Sequence, residues 1–202
     1  MSEIGDIMRT APVIPVLVVE DVAEAVPLAR ALVAGGLRVL EVTLRTDAAL
    51  DVIRAMKQVE GAIVGAGTVI DPAGLDAAIE AGSEFIVSPG LTDRLGEAAI
   101  ARAIPFLPGI ANAGDLMRGL DKGLTHFKFF PAEAAGGISA LKSLSGPFPQ
   151  CRFCPTGGIT AASAPDWLAL DPVLCVGGSW VAPKGASPDR IEALARAAAA
   201  LG

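Results

Sequence analysis

The sequence contains no tyrosine, and aromatic residues make up only 4% of its 202 positions. Its core must therefore be aliphatic, built from Val, Ile, Leu and Ala, as strands buried on both faces require. No apolar run approaches the ~18 residues of a membrane span, and the opening MSEIGDIMRT lacks the basic-then-apolar order of a signal peptide. Basic side chains are also scarce: 16 Lys and Arg against 22 Asp and Glu leave a net charge of −6. Such a surface repels nucleic acid and anionic lipid, so neither is an expected partner. An anionic substrate would need locally placed Arg, Lys or backbone N–H groups.

Cysteine is limited to Cys151, Cys154 and Cys175, each in or beside an apolar strand. An odd number of thiols in this setting points to reduced cysteines and a cytoplasmic location. Cys151 and Cys154 form a C-x-x-C, but in a strand-like segment with no second pair, so buried structural thiols are expected rather than a redox or metal site. The one histidine, His126, is read as a packed core residue.

What the chain does have is repetition. Apolar runs recur at Val13–Val19, Leu37–Leu44, Ala62–Gly65, Glu84–Val87, Ile104–Leu107, His126–Phe130, Arg152–Cys154 and Val173–Val176. Their centres lie roughly 20–26 residues apart, room for a strand, a helix and two short loops. Ala-rich helical segments intervene, among them Glu24–Ala34, Ala48–Gln58, Ala73–Ala81, Leu95–Ala103 and Asp115–Leu120. Eight strands alternating with helices predict an α/β fold, a (β/α)8 TIM barrel formed by residues 1–202 as a single domain. A doubly wound open sheet is the main alternative. Asp71 before Pro72 predicts a capped helix start, and Gly35–Gly36 and Gly82 predict helix ends. Pro27 conflicts with a helix starting at Asp21, which must be kinked or begin near the proline.

In such a barrel the chemistry sits where strands end. Small or polar clusters follow seven of the apolar runs: Glu41–Arg45, Gly65–Thr68, Ser88–Gly90, Pro108–Gly109, Lys128–Pro131, Thr156–Gly158 and Gly177–Ser179. Of five lysines, only Lys128 is embedded in an apolar run, His126-Phe127-Lys128-Phe129-Phe130-Pro131. Burial of an ammonium is costly and favours the free amine, the form that attacks a ketone. A lysine paired with a carboxylate, or snorkelling to the rim, is the structural alternative. Glu41 interrupts the second strand, and alternation would put Val39, Glu41, Thr43 and Arg45 on one face. The chemical reading is an acid/base inside the barrel; the bland one is a Glu–Arg ion pair filling its end. Thr156-Gly157-Gly158 and Gly177-Gly178-Ser179 follow the seventh and eighth strands, where backbone N–H groups of such barrels hold phosphate.

At these residues the sequence resembles the 2-keto-3-deoxy-6-phosphogluconate (KDPG) and 4-hydroxy-2-oxoglutarate (KHG) aldolase family. The matching stretches are Val39–Thr46 (VLEVTLRT), Ile63–Val69 (IVGAGTV), Val87–Leu91 (VSPGL), Phe127–Glu133 (FKFFPAE), Gly136–Gly137, Arg152–Ile159 (RFCPTGGI) and Leu174–Trp180 (LCVGGSW). The resemblance implies that Lys128 forms the Schiff base and Glu41 transfers protons. It implies that Arg45 and Thr68 hold the pyruvate carboxylate and keto portion, with Pro89 and Phe130 lining the pocket. Thr156, Gly157, Gly158, Gly178 and Ser179 would contact the substrate tail and its phosphate. It also implies a homotrimer that needs no metal, and no cofactor is expected. Alternatives at this stage are KHG or the galactonate epimer as main substrate, an isomerase or epimerase barrel using Glu41 as base, and a non-enzymatic phosphometabolite-binding barrel.

Overall fold

The computed structural model describes residues 3–201. A short helix α1 (Ile4–Met8) precedes strand β1 (Val13–Leu17), a 3-10 turn (Val22–Glu24) and α2 (Ala25–Ala34). Then come β2 (Val39–Thr43), α3 (Ala49–Met56), β3 (Ile63–Gly67), α4 (Pro72–Glu80), β4 (Ile86–Val87) and α5 (Asp93–Ala101). The second half runs β5 (Phe106–Leu107), β6 (Gly109–Ile110), α6 (Ala113–Asp121), β7 (His126–Phe129), α7 (Gly137–Ser145), β8 (Arg152–Pro155), α8 (Ala164–Leu168), β9 (Val176–Gly178) and α9 (Pro188–Ala199).

Local chemistry explains the helix starts. Asp71 accepts a hydrogen bond from the Gly74 N–H at 2.8 Å with Pro72 at the first helical position, as its sequence context predicts. Asn112 caps α6 through the Asp115 N–H at 3.0 Å, and Ser187 caps α9 ahead of Pro188. The conflict at Pro27 resolves without a kink. Asp21 caps the 3-10 turn, and α2 begins only at Ala25, so Pro27 lies in the first helical turn, where its missing N–H costs nothing. Gly36 and Gly82, both left-handed (φ 96° and 97°), end α2 and α4 as expected.

All recorded pairings are parallel, in two sheets: β5-β4-β3-β2-β1-β9 and β6-β7-β8. This differs from one continuous ring of eight strands. The fifth expected strand, Ile104–Leu107, is observed as β5 (Phe106–Leu107); beyond Pro108, which has no N–H to contribute to a ladder, Gly109–Ile110 forms a separate strand, β6, in the other sheet. Between β8 and β9 the only described links are single bridges, Phe153 with Val173 and Thr156 with Gly177. The architecture is thus a curled parallel α/β sheet rather than a flat, doubly wound one.

Strand alternation divides the core in two. Leu40, Val42, Ile86, Phe127, Phe129, Phe153 and Val176 belong to the large cluster against the helices. Ile14, Val39, Phe85, Val87, Leu107, Cys154 and Cys175 form a second cluster inside the curl, joined by Ile7 and Met8 of α1. Glu41 follows the parity of Val39, and Lys128 is opposite in parity to Phe127 and Phe129. Both therefore enter the interior. Gly65 makes this packing possible, because a Cβ there would lie 2.5 Å from the Phe85 ring.

At the other end of β7, His126 packs beneath Gly5 of α1 with Nδ1 3.1 Å from Thr125 Oγ1, and its Nε2 is buried without a partner among the described residues. Burial, and then the charges of Arg9 and Arg152, hold its pKa below the usual 6.5. The folded state prefers the neutral ring, so as pH falls the unfolded chain takes up the proton first. Stability from this residue is complete above pH 6.5 and is lost as pH drops through 6.5 toward the depressed folded value. Urea midpoints measured from pH 8 to pH 5 should therefore fall on the acid side, and His126→Gln should flatten that limb; an unchanged slope would refute the assignment.

Candidate active site

β2 places Glu41 in register with Val16 of β1 and Gly65 of β3, and β7 places Lys128 in register with Gly109 and Cys154. These registers bring together two side chains 87 residues apart. Lys128 Nζ donates to Glu41 Oε1 at 2.9 Å, with side-chain exposures of only 7% and 3%. The two alternatives for the lysine thus converge, because its carboxylate partner is the very acid that interrupts β2. The cost of burying the ammonium is offset by this charge-assisted bond and by the Phe130 ring, whose centroid lies 5.5 Å from Nζ. Chemically, an amine with a proton acceptor already in contact is equipped for addition to a carbonyl.

The Glu–Arg ion pair does not form. Strand β2 stops at Thr43, so alternation no longer governs Arg45, which sits exposed in the following turn. Its Nε donates to Thr43 Oγ1 at 3.1 Å, and that hydroxyl donates to Leu17 O at 2.8 Å. The side chain is thereby anchored by one nitrogen, and its guanidinium makes no salt bridge among the described residues. A terminal fork in that state suits a carboxylate ligand.

Thr68, just beyond β3, is half-buried and left-handed at φ 60°. A β-branched residue there stores roughly 1–2 kcal/mol of strain, a cost met where a fixed backbone is needed beside a site. Pro89 is exposed beyond β4, its carbonyl packed so closely on Gly109 that a Cβ could not fit between them. Buried Ser88 holds this turn by donating to Gly90 O at 2.7 Å.

Thr156 is buried against Gly177, where a Cβ would collide with its hydroxyl. Gly157 and Gly158 follow with φ of 103° and 82°, a left-handed pair that non-glycine residues rarely adopt. Neither N–H donates to an acceptor among the described residues. A Cβ on Gly157 would lie 3.4 Å from the Phe130 ring, so this loop borders the lysine's aromatic cover. Gly178 lies against the Trp180 ring, and Ser179 is exposed beside it. The glycine loop after β8 thus borders the ring that covers the ammonium, and Thr156 joins it to the glycines of β9, an arrangement of backbone donors suited to an anionic tail.

The cysteines behave as expected. Cys151 belongs to the helix-side core and Cys154 to the interior, so the C-x-x-C thiols do not converge. All three are free thiols, and the neighbouring Cys154 thiol, then burial and the negative charge of Glu41, push the Cys175 thiol well above its usual range. A surface cavity of about 670 Å³ bounded by Arg9, Pro12, Pro165 and Val173 lies at the strands' opposite ends, with Arg9 its one charged side chain.

Sequence reasoning missed Gly67, Glu133 and Trp180. Gly67 faces Glu41 so closely that a Cβ would collide with the carboxylate, and its signal was a glycine inside an apolar strand. Glu133 and Trp180 carry no comparable local signal.

A family model for KDPG and KHG aldolase matches residues 4–194. The chain belongs to the KDPG and KHG aldolase family. It is 61% identical over 202 residues to a 2-dehydro-3-deoxy-phosphogluconate aldolase of Zymomonas mobilis, covering 99% of this chain and 97% of the relative. It is 57% identical to the KHG/KDPG aldolase of Escherichia coli K12, covering 95% and 92%. Among solved structures, the KDPG aldolase of Legionella pneumophila, with pyruvate captured at low pH as a covalent carbinolamine, superposes with a TM-score of 0.95. That comparison has 45% identity and covers 98% of both chains.

Proposed function

We propose that this family member is a class I aldolase, a carbon–carbon lyase. It cleaves 2-dehydro-3-deoxy-6-phosphogluconate to pyruvate and glyceraldehyde 3-phosphate, and also accepts 4-hydroxy-2-oxoglutarate. The observation that carries this reading is the buried Lys128–Glu41 pair at 2.9 Å.

The chemistry follows from those two groups. Lys128 Nζ passes a proton to Glu41 and adds to the C2 ketone. The carbinolamine loses water to give a protonated imine that can accept electrons. Glu41, through a water, takes the C4 hydroxyl proton; the C3–C4 bond breaks, its electron pair moves to the imine nitrogen, and the aldehyde leaves. The resulting enamine is protonated at C3 by Glu41, and hydrolysis releases pyruvate and the free amine. The imine is the electron sink, so the route calls for neither cofactor nor metal. Arg45 and Thr68 orient the pyruvate carboxylate and keto group, Pro89 and Phe130 wall that end, and Thr156, Gly157, Gly158, Gly178 and Ser179 receive the phosphorylated tail.

The same reading extends to architecture. The bridges between β8 and β9, and the continuity of β5 with β6 through Pro108, support closure of the two sheets into one (β/α)8 barrel acting as a single domain. The homotrimer is proposed from the family resemblance alone. A cytoplasmic location fits three buried free thiols.

The test is kcat/KM for three substrates: the phosphorylated gluconate, its galactonate epimer and 4-hydroxy-2-oxoglutarate. The phosphorylated gluconate should rank first, and a clear preference for the unphosphorylated compound would overturn the substrate assignment.

A further inference from the structure

Glu133 closes the segment that follows the reactive lysine, yet the reaction just described gives it no task. Its surroundings are specific. Its N–H donates to Gly157 O at 3.1 Å, beside the Ala132 N–H donating to Thr156 O at 2.8 Å. Its side chain lies under the next glycine: a Cβ on Gly158 would fall 2.7 and 2.8 Å from Glu133 Cγ and Cβ. Oε1 accepts a hydrogen bond at 3.0 Å from Nε1 of Trp167, a fully buried ring on α8 that packs 6.3 Å from Phe129. Oε2 lies 3.5 Å from where a Gly137 Cβ would be, at the start of α7, a helix end with no side-chain cap. A carboxylate there is favoured by the helix dipole. Glu133 thus ties together the loop after β7, the glycine loop after β8, the start of α7 and Trp167 of α8.

We propose that Glu133 is a positioning residue for substrate specificity: by bracing Gly157 and Gly158, it sets the backbone donors that receive the phosphate. This inference rests on the aldolase reading above. The physical argument is pre-organisation. Two left-handed glycines are the most mobile residues a loop can contain, and a loop ordered only on binding loses affinity to its own entropy. Glu133 supplies the missing restraint from below, through its stem and its bond to a rigid indole. Its negative charge, partnered by Trp167 Nε1 and the α7 end, is held away from direct competition with the substrate's phosphate.

The test compares the phosphorylated gluconate with unphosphorylated 4-hydroxy-2-oxoglutarate in three variants. Glu133→Ala should raise KM for the phosphorylated substrate about tenfold, the scale of one lost charge-assisted bond, while kcat and both constants for the unphosphorylated substrate stay within about twofold. Glu133→Gln keeps the stem and an acceptor for Trp167, and should restore most of the loss. Trp167→Phe keeps the ring but removes the donor, and should reproduce the selective KM rise in milder form. Equal losses on both substrates would reduce Glu133 to a stability role and overturn the proposal. So would a glutamine variant as impaired as alanine, or a Trp167→Phe enzyme identical to wild type. A wild-type enzyme that cleaves neither substrate would instead overturn the aldolase reading, which separates the two failures.

Discussion

Lys128→Ala is expected to lower kcat by at least ~10⁴-fold, because it removes the covalent route and not one contact among many. The same change leaves Glu41 buried with no partner, at a cost of roughly 3–5 kcal/mol. Loss of activity alone could then reflect unfolding. A second measurement on the intact enzyme removes that ambiguity. Borohydride added with pyruvate should trap a secondary amine, and peptide mapping should find the added mass on the segment containing Lys128. Trapping on any other lysine, or none at all, would end the Schiff-base assignment whatever the alanine variant does.

Glu41→Gln carries the second large effect. The amide oxygen can still accept from Lys128 Nζ at the position now occupied by Oε1, so the geometry of the site and most of its stability should survive. What is lost is the capacity to take and return a proton. A general acid/base contributes typically 10²–10⁴-fold, so kcat should fall by about that factor. Imine formation with pyruvate should slow but persist in part: the carboxylate that takes the ammonium proton is gone, yet burial without a counter-charge itself favours the free amine, and the adduct does not need the C4 proton transfer. A variant with near-wild-type kcat would mean that another group or a water handles the proton.

Much of this site was legible before any coordinates. The pleat repeats every two residues, so a carboxylate between Leu40 and Val42, and a lysine between Phe127 and Phe129, had to share a face opposite those apolar neighbours. The glycine loops were legible for a related reason: left-handed backbone at Gly157 and Gly158 selects for the absence of a Cβ. Legibility stopped at strand ends. Arg45 was expected to continue the inward face of β2, but the strand terminates at Thr43 and the arginine anchors to that residue's hydroxyl from a turn. Likewise the short strand Gly109–Ile110 was not expected beyond Pro108, and Glu133, which the sequence marks only as the last residue of FKFFPAE, is exposed yet accepts a hydrogen bond from Trp167 Nε1. For Glu133 the deciding partner lies in another segment of the chain.

The sequence by itself therefore determined the alternation of strands and helices, the helix start at Asp71, and the placement of Glu41 and Lys128 on the strand face opposite their apolar neighbours. These depend on spacing of 3.6 or 2 residues and on side chains that bond their own backbone. Only the tertiary structure decided that Glu41 meets Lys128 at 2.9 Å, that Gly67 leaves space for the carboxylate, and that Glu133 underlies Gly158 while holding Trp167. Those contacts join residues far apart along the chain. They are set by the register of parallel strands and by how tightly the curled sheet packs, which local periodicity does not encode.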